Sequence, residues 1–459
     1  MYVVLLGVLI ILAIISFFVN QKDVLSPSFI SCVAYMLCDI CAIIGKLSWN
    51  NIVISWKVIG IMMIGLLAFI CAEFIVRKIY NKKAKKTDKI KEDKILKVEK
   101  WKIISSIILI IIEIILMFVE IRRIVVATGF DGNNILEMFS FYRDKSQLFS
   151  TELVNKGLKI NIIVSQLNKL CTVLGMIYIY IFLKNIINKD KIKNNIVYII
   201  PVILCCVLAL MTGSRTQILK YVIATFIMGF ILLSKKDSLK ILLKKVLIIG
   251  TVLLVIILPL FYATLPLLGR KQDKDFIPYM TFYLGTSIPS FESYLNNPPA
   301  KSKQFGSESL RGINSLLNKL GIVDEVTPVS REWTKFPGSN YSNVYTAFRR
   351  YLQDFGIVGV IVCQFLFGAV FSIIYLYAKN KENGIWLIFY GMYSYMLIDQ
   401  VRDELFFTTF VHINIFINMF FILVLYWILT KFEFKDLPQY KIKLMNLLKN
   451  ERKKNANEK

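Results

Sequence analysis

Three short stretches carry the residue types best suited to chemistry. In Gly213-Ser214-Arg215-Thr216 an arginine stands between two long apolar runs joined by almost nothing. Two rigid helices would hold its guanidinium at a membrane boundary, and the N-terminus of the second favours anions. That arrangement suits a lipid-linked phosphate; the alternative is an arginine snorkelling at a span end. In the stretch 340–354, helical spacing puts Asn343, Ala347, Arg350 and Asp354 on one face, with Tyr341, Tyr345, Phe348 and Arg349 on adjacent stripes. Aromatic rings of this kind cover the apolar face of a sugar while amide and guanidinium groups bind its hydroxyls. Arg350 is within reach of Asp354, and a purely structural pair is the alternative. The third stretch, Asp399-Gln-Val-Arg-Asp-Glu404, offers Asp399, Arg402, Asp403 and Glu404 in six residues. It could place a general base beside an anion-binding arginine, or it could be a solvated turn.

The elements that must position these groups are membrane helices. The chain of 459 residues is 56% hydrophobic, with a mean hydropathy of +0.59, too apolar for a soluble protein of this length. The pattern predicts an all-α polytopic membrane protein of about eleven transmembrane helices (ten to twelve), at 2–19, 24–45, 53–76, 103–121, 161–183, 196–212, 217–233, 246–265, 356–378, 385–400 and 410–430. The first run has no basic residue before it and no small-residue cleavage site after it, so it reads as a retained span. The chain then divides into spans one to three (1–76), a basic loop (77–102), spans four to eight with a polar loop at 122–160 (103–265), a large polar loop (266–355), spans nine to eleven (356–430) and a basic tail (431–459).

Charge sets the expected orientation. The net charge is +25, but the lysines crowd particular loops, which argues for cytoplasmic retention and against nucleic acid. Loops 77–102, 184–195, 234–245 and 379–384, the tail and Lys22 together hold 33 of the 56 basic residues. That predicts a cytoplasmic C-terminus and an N-terminus outside. Of twelve arginines, only Arg77 and Arg452 fall on the lysine-rich side. The other ten, including Arg143 in Phe139-Ser-Phe-Tyr-Arg-Asp144, fall on the opposite side. Retention is indifferent to which cation is used. A guanidinium differs from an ammonium in binding carboxylate or phosphate oxygens in pairs. The split therefore points to salt bridging in folded loops or to a phosphate-bearing ligand at the outer face.

Other residues constrain the chemistry further. The eight cysteines all lie in apolar spans and read as core residues. His412, the one histidine, reads as structural. Asp39, Glu73, Glu113 and Glu120 fall within spans, and Glu113, nearest mid-span, is the feature a transporter would use. There is no Walker-type glycine loop, Gly-x-Ser-x-Gly, paired Cys-x-x-Cys or His-Glu-x-x-His; the one Cys-x-x-Cys, Cys38-Asp-Ile-Cys41, stands alone inside an apolar run. The outer side carries one Asp-x-Asp, Asp273-Lys-Asp275, in a loop without histidine or cysteine; no metal or other cofactor is expected.

The Gly213-Ser214-Arg215-Thr216 turn, the large loop in the second half, and Gly338-Ser-Asn-Tyr-Ser-Asn-Val-Tyr345 running through Asp354-Phe-Gly356 into a span resemble the Wzy-type O-antigen and capsular-polysaccharide repeat-unit polymerases. The likeness lies over about 200–380; elsewhere it rests on hydropathy. It implies a polymerase/ligase architecture of the GT-C kind and an enzyme that joins oligosaccharide repeat units carried on undecaprenyl pyrophosphate at the outer face of the membrane. The partners would be lipid-linked donor and acceptor, membrane lipid and a chain-length regulator. On this likeness outer-face arginines bind the pyrophosphate without metal: Arg215 first, then Arg349, Arg350 and Arg402, with Arg143, Asn343 and Tyr345 contacting substrate. Asp354, Asp403 or Glu404 would accept the hydroxyl proton. Related ligases use a histidine in the large loop; 266–355 contains none, which favours polymerase over ligase. A lipid-linked oligosaccharide flippase is the reading from a different class.

Overall fold

The computed structural model describes residues 1–49, 52–83, 95–148, 157–213, 215–266, 275–302, 304–323, 332–336, 340–381 and 384–433. Residues 84–94 of the expected basic loop, Ser214, Arg270, Arg331 and most of the basic tail lie outside them. In chain order the first helices are α1 (Tyr2–Val19), α2 (Pro27–Gly45), α3 (Trp56–Lys83), α4 (Lys100–Ala127), α5 (Ile135–Leu148) and α6 (Ile162–Ile187). There follow α7 (Ile192–Met211), then α8 (Arg215–Ser234) and α9 (Leu239–Ala263). The large loop holds α10 (Phe276–Gly285), α11 (Ser287–Asn296), α12 (Arg311–Lys319) and a two-stranded antiparallel hairpin, β1 (Thr334–Phe336) with β2 (Asn340–Ser342). The chain ends in α13 (Ala347–Asn380), α14 (Gly384–Tyr393), α15 (Tyr395–Asp399) and α16 (Asn414–Thr430).

Among the described residues nine helices are long and apolar enough to cross a membrane: α1 to α4, α6 to α9 and α13. All eleven expected stretches are helical, but two differ from expectation. The tenth is broken at Ser394 into α14 and α15, and the eleventh, α16, has 17 residues. At about 1.5 Å per residue, α16 only approaches the thickness of a hydrocarbon core of about 30 Å. Several expected ends also move: α3 continues to Lys83 and α4 begins at Lys100, because amphipathic turns extend each apolar run beyond the bilayer-length window. Helix starts follow local chemistry. Ser26 caps α2 by accepting the Phe29 N–H, with Pro27 at its first position, and Asn161 caps α6 by accepting the Ile163 N–H at 2.8 Å.

The five connections expected on the outer side come together at one end of the bundle. Trp49 packs edge-on against Phe282 and Phe336, the Ser55 N–H donates to Glu292 at 2.7 Å, Arg143 lies against Gly213, and Arg350 reaches Asp403. The large loop is less polar in structure than in sequence: α10 and α11 pack on α2, and the Cys38 thiol meets the Ser287 hydroxyl at 3.2 Å. At the opposite end a buried ion network joins the α1–α2 turn, α3 and α13. Asp23 accepts from Arg77 (3.0 Å), Lys379 (2.8 Å) and Tyr375 (2.7 Å), while Glu73 accepts from Arg77 and from Ser28. Glu73 is thus a structural counter-ion. Asp39 and Glu113 have no hydrogen-bond partner on either carboxyl oxygen among the described residues.

Within α13 the backbone breaks at Gly356, whose φ of +66° is one that only glycine adopts freely. The break separates two site-bearing turns, 347–355, from the apolar span after it.

Candidate functional site at the loop end of the bundle

The site is built by pairing two segments far apart in sequence. The Tyr345 N–H donates to the Arg402 carbonyl (3.1 Å) and the Ala347 N–H to the Gln400 carbonyl (2.9 Å). Gln400 is itself held inside the bundle: its side-chain amide donates to Ser31 (2.7 Å), and its carbonyl accepts the Tyr35 hydroxyl (3.0 Å). The first turn of α13 is thereby set against the 399–404 turn, with the β1–β2 hairpin alongside through Thr334 and the Tyr345 hydroxyl, 3.0 Å apart.

Between these elements and α12 lies a cavity of about 750 Å³. Asn343, Tyr345, Arg349, Arg350, Arg402 and Asp403 line it, joined by Arg311, Glu332, Asp399, Thr408 and His412. Six of the ten expected site residues therefore share one chamber.

Its arginines are already engaged with carboxylates. Arg349 is buried, 2.7 Å from Glu308 and 2.6 Å from Glu332, with its guanidinium over the rings of Tyr294 and Tyr345. Arg350 grips both oxygens of Asp403, at 2.6 and 2.9 Å, and touches Glu308 at 3.1 Å. Arg402 is held more loosely: its contact with Asp399 is 3.4 Å, its Nε has no partner among the described residues, and its guanidinium lies 4.5 Å from the centre of the Tyr283 ring, whose hydroxyl it also meets. Arg402 is thus the lining guanidinium with the weakest carboxylate contact among those whose pairs are described here.

His412 accepts the Asn414 N–H on Nδ1 at 3.2 Å, which assigns the proton of the neutral ring to Nε2. Burial, with Lys319 and Lys169 nearby, holds its pKa below the usual histidine value, so the neutral ring is a donor near pH 7.

Four expected residues lie elsewhere. Glu404 sits behind the chamber wall, accepting the Phe407 and Thr408 N–H groups and the Tyr351 hydroxyl. Burial pushes its carboxyl up to about 7, against the pull of those N–H groups and of Arg350. Asp354 does not pair with Arg350; it accepts the Glu308 and Ser309 N–H groups and so holds the 306–310 turn. That turn in turn presents Glu308 to Arg349 and Arg350. Arg215 is buried, donating to the Phe261 carbonyl at the end of α9 (2.8 Å) and lying 4.0 Å from the Phe261 ring centre, with the Tyr279 hydroxyl 3.4 Å away. It reaches the chamber only indirectly, because Tyr279 and Phe261 pack on Tyr283, the ring beneath Arg402. Arg143 bonds Asp144 at 2.6 Å, and its stem fills the space beside Gly213, where a Cβ would come within 2.7 Å.

Glu308 and Glu332, the counter-ions of the chamber, carry no spacing signal in the sequence. His412 carries one, as a lone histidine near a span end, but by composition it looks like a core residue.

No group of three or more potential metal ligands occurs among the described residues. Fold and chamber together define a polytopic helical membrane protein with a charged, hydroxyl- and aromatic-lined cavity at one end. No protein-family model, curated protein or solved structure matches the chain.

Proposed function

We propose that the chain extends a surface polysaccharide by glycosyl transfer between polyprenyl-pyrophosphate-linked oligosaccharides, in the chamber at the loop end of the bundle. The observation that carries this reading is the chamber itself: guanidinium groups, carboxylates, an amide and a tyrosine share about 750 Å³, a volume within the range of small-molecule sites. The excess of lysine in the loops expected on the opposite side of the membrane supports placing the chamber at the outer face of a bacterial cytoplasmic membrane.

In this mechanism the acceptor hydroxyl oxygen forms a bond to the donor sugar C1. The bond from C1 to the pyrophosphate oxygen breaks, and its electron pair leaves with the pyrophosphate. Arg402, loosely held by Asp399, takes the developing charge. Arg350 joins it by exchanging Asp403 for pyrophosphate oxygens. The carboxylate so released is positioned to accept the acceptor's proton, so that anion binding and base activation are one event. Asn343, Tyr345 and the Nε2–H of His412 hold sugar hydroxyls. Arg215 acts through the aromatic cluster under Arg402 as a positioning residue.

Purified protein supplied with a lipid-linked repeat unit is expected to produce a ladder of longer glycans and free polyprenyl pyrophosphate; a substrate that stays unextended overturns the proposal. One observation favours a transporter instead: the carboxyl of Glu113, inside α4, lacks a partner, as an ion-coupling group would. Movement of the substrate across vesicles without bond formation would establish that reading.

A further inference from the structure

A second polar cavity adjoins the first. It measures about 360 Å³, lies among α6, α7, α8, α14, α15 and α16, and shares Thr409 with the chamber. Its lining contains two ammonium groups, Lys169 and Lys220, and no carboxylate. Lys169 donates only to neutral partners, Gln166 at 3.3 Å and Asn414 at 2.8 Å. Lys220 has its ammonium 4.1 Å from the centre of the Tyr395 ring; the carboxylate that acts on it, Asp399 of the neighbouring chamber, lies beyond contact distance, and no other carboxylate among the described residues is within 4 Å. Inside a membrane bundle, cations are normally paired with anions. Arg349 and Arg350 of the first chamber make contact ion pairs; among the described residues neither lysine does, which leaves both ammonium groups open to an anionic ligand.

The surroundings indicate what kind of ligand. Gln166, the partner of Lys169, also lines an apolar groove of about 260 Å³ between α6 and α16, formed by Ile162, Ile163, Leu167, Leu170 and Phe421. Ile162 and Ile163, at the start of α6, are exposed, so an alkyl chain could enter the groove from outside the bundle. The apolar groove thus borders the cationic pocket through the Gln166–Lys169 hydrogen bond, and the pocket borders the chamber at Thr409.

We infer that this cavity is a distinct site for a phosphorylated polyprenyl lipid, with Lys169 and Lys220 holding the phosphate and the α6–α16 groove holding the tail. Thr409, common to both cavities, marks where the head group of a lipid so seated faces the chamber. The cationic pocket and groove stand independently of the proposed transfer; the choice of a polyprenyl tail over a diacyl one rests on it.

The test is binding of undecaprenyl phosphate to the full-length protein in nanodiscs, with phosphatidate and inorganic phosphate as parallel probes. The wild type is expected to bind undecaprenyl phosphate well ahead of either. Lys169→Met combined with Lys220→Met should weaken binding about tenfold or more, whereas Lys169→Arg with Lys220→Arg, which keeps both charges, should restore it. Monodispersity and an unchanged melting temperature show that the Met variant is folded. Equal binding by a folded Met variant overturns the site, and equal binding of phosphatidate or of inorganic phosphate overturns the polyprenyl assignment. The two claims separate cleanly: lysine-dependent binding without a glycan ladder sinks the transfer and keeps the site. A normal ladder with undiminished lipid binding from the Met variant does the reverse.

Discussion

Arg349 and Arg350 are neighbours in sequence and share Glu308, yet their replacement should have opposite consequences. Arg349 has a side chain only 4% exposed, and its partners Glu308 and Glu332 are 9% and 23% exposed. Arg349→Met strands Glu332 at the chamber wall and removes the cation stacked between Tyr294 and Tyr345. Breaking a buried pair from one side costs about 3–5 kcal/mol, because the carboxylate stays behind uncompensated. Arg350→Met instead frees Asp403, which is 48% exposed and can be solvated, while Glu308 keeps Arg349. That loss is closer to the ~0–1 kcal/mol of an exposed pair. On the proposed transfer the order reverses: a donor lost from a developing pyrophosphate charge is worth about 10²–10³ in rate. The assay is a melting curve in detergent beside the extent of glycan extension for each variant. Arg349→Met should melt well below the wild type, and Arg350→Met should melt close to it while extending the glycan at least a hundredfold more slowly, the lower end of that same estimate. An Arg349→Met protein as stable as the wild type, or an Arg350→Met protein that polymerises normally, refutes the division of roles.

Two further outcomes follow from the same contacts. The Glu404 carboxyl titrates in the fold near 7 against an ordinary value of 4.5; a raised carboxyl pKa means that its contribution to stability is present below 4.5 and is lost as the pH rises towards 7. The melting temperature should fall across that window in the wild type, and Glu404→Gln should remove that part of the slope; an unchanged slope would show that other groups set it. At the opposite end of the bundle, Arg77→Met leaves Glu73 with only Ser28, and Asp23 with Lys379 and Tyr375. A loss of about 3–5 kcal/mol is expected, seen as a lowered melting point, and a variant that melts like the wild type would show the network to be dispensable.

The fold was largely legible because a bilayer demands long apolar runs, and these survive any local irregularity. What escaped were elements whose stability is tertiary. The ten residues of α10 and the ten of α11 are too short to stand out from a polar loop, and they are helical in contact with α2. The break between α14 and α15 at Ser394 likewise leaves no gap in hydropathy.

At the site, residue types and the grouping of these loops at one end of the bundle were readable, and so the Asn343–Arg350 and Asp399–Asp403 stretches, which line one cavity, stand out in the sequence. Their meeting depends on two backbone hydrogen bonds across more than fifty residues, which no spacing reports. Counter-ions were invisible for the same reason: Glu308 reaches Arg349 and Arg350 only because Asp354 holds the turn that carries it. Arg215 shows the converse. Its boundary position was plain, but whether a guanidinium at a boundary faces solvent or caps the end of a neighbouring helix is decided by where α9 finishes.

The central claim is that bond formation takes place in the loop-end chamber, on the guanidinium of Arg402. It is tested most directly by comparing wild-type protein with Arg402→Ala, matched for folded protein in the same vesicles, and measuring extension of a defined lipid-linked repeat unit. The account predicts a ladder from the wild type and an unextended unit from the variant; ladders of equal length and rate from both would contradict it.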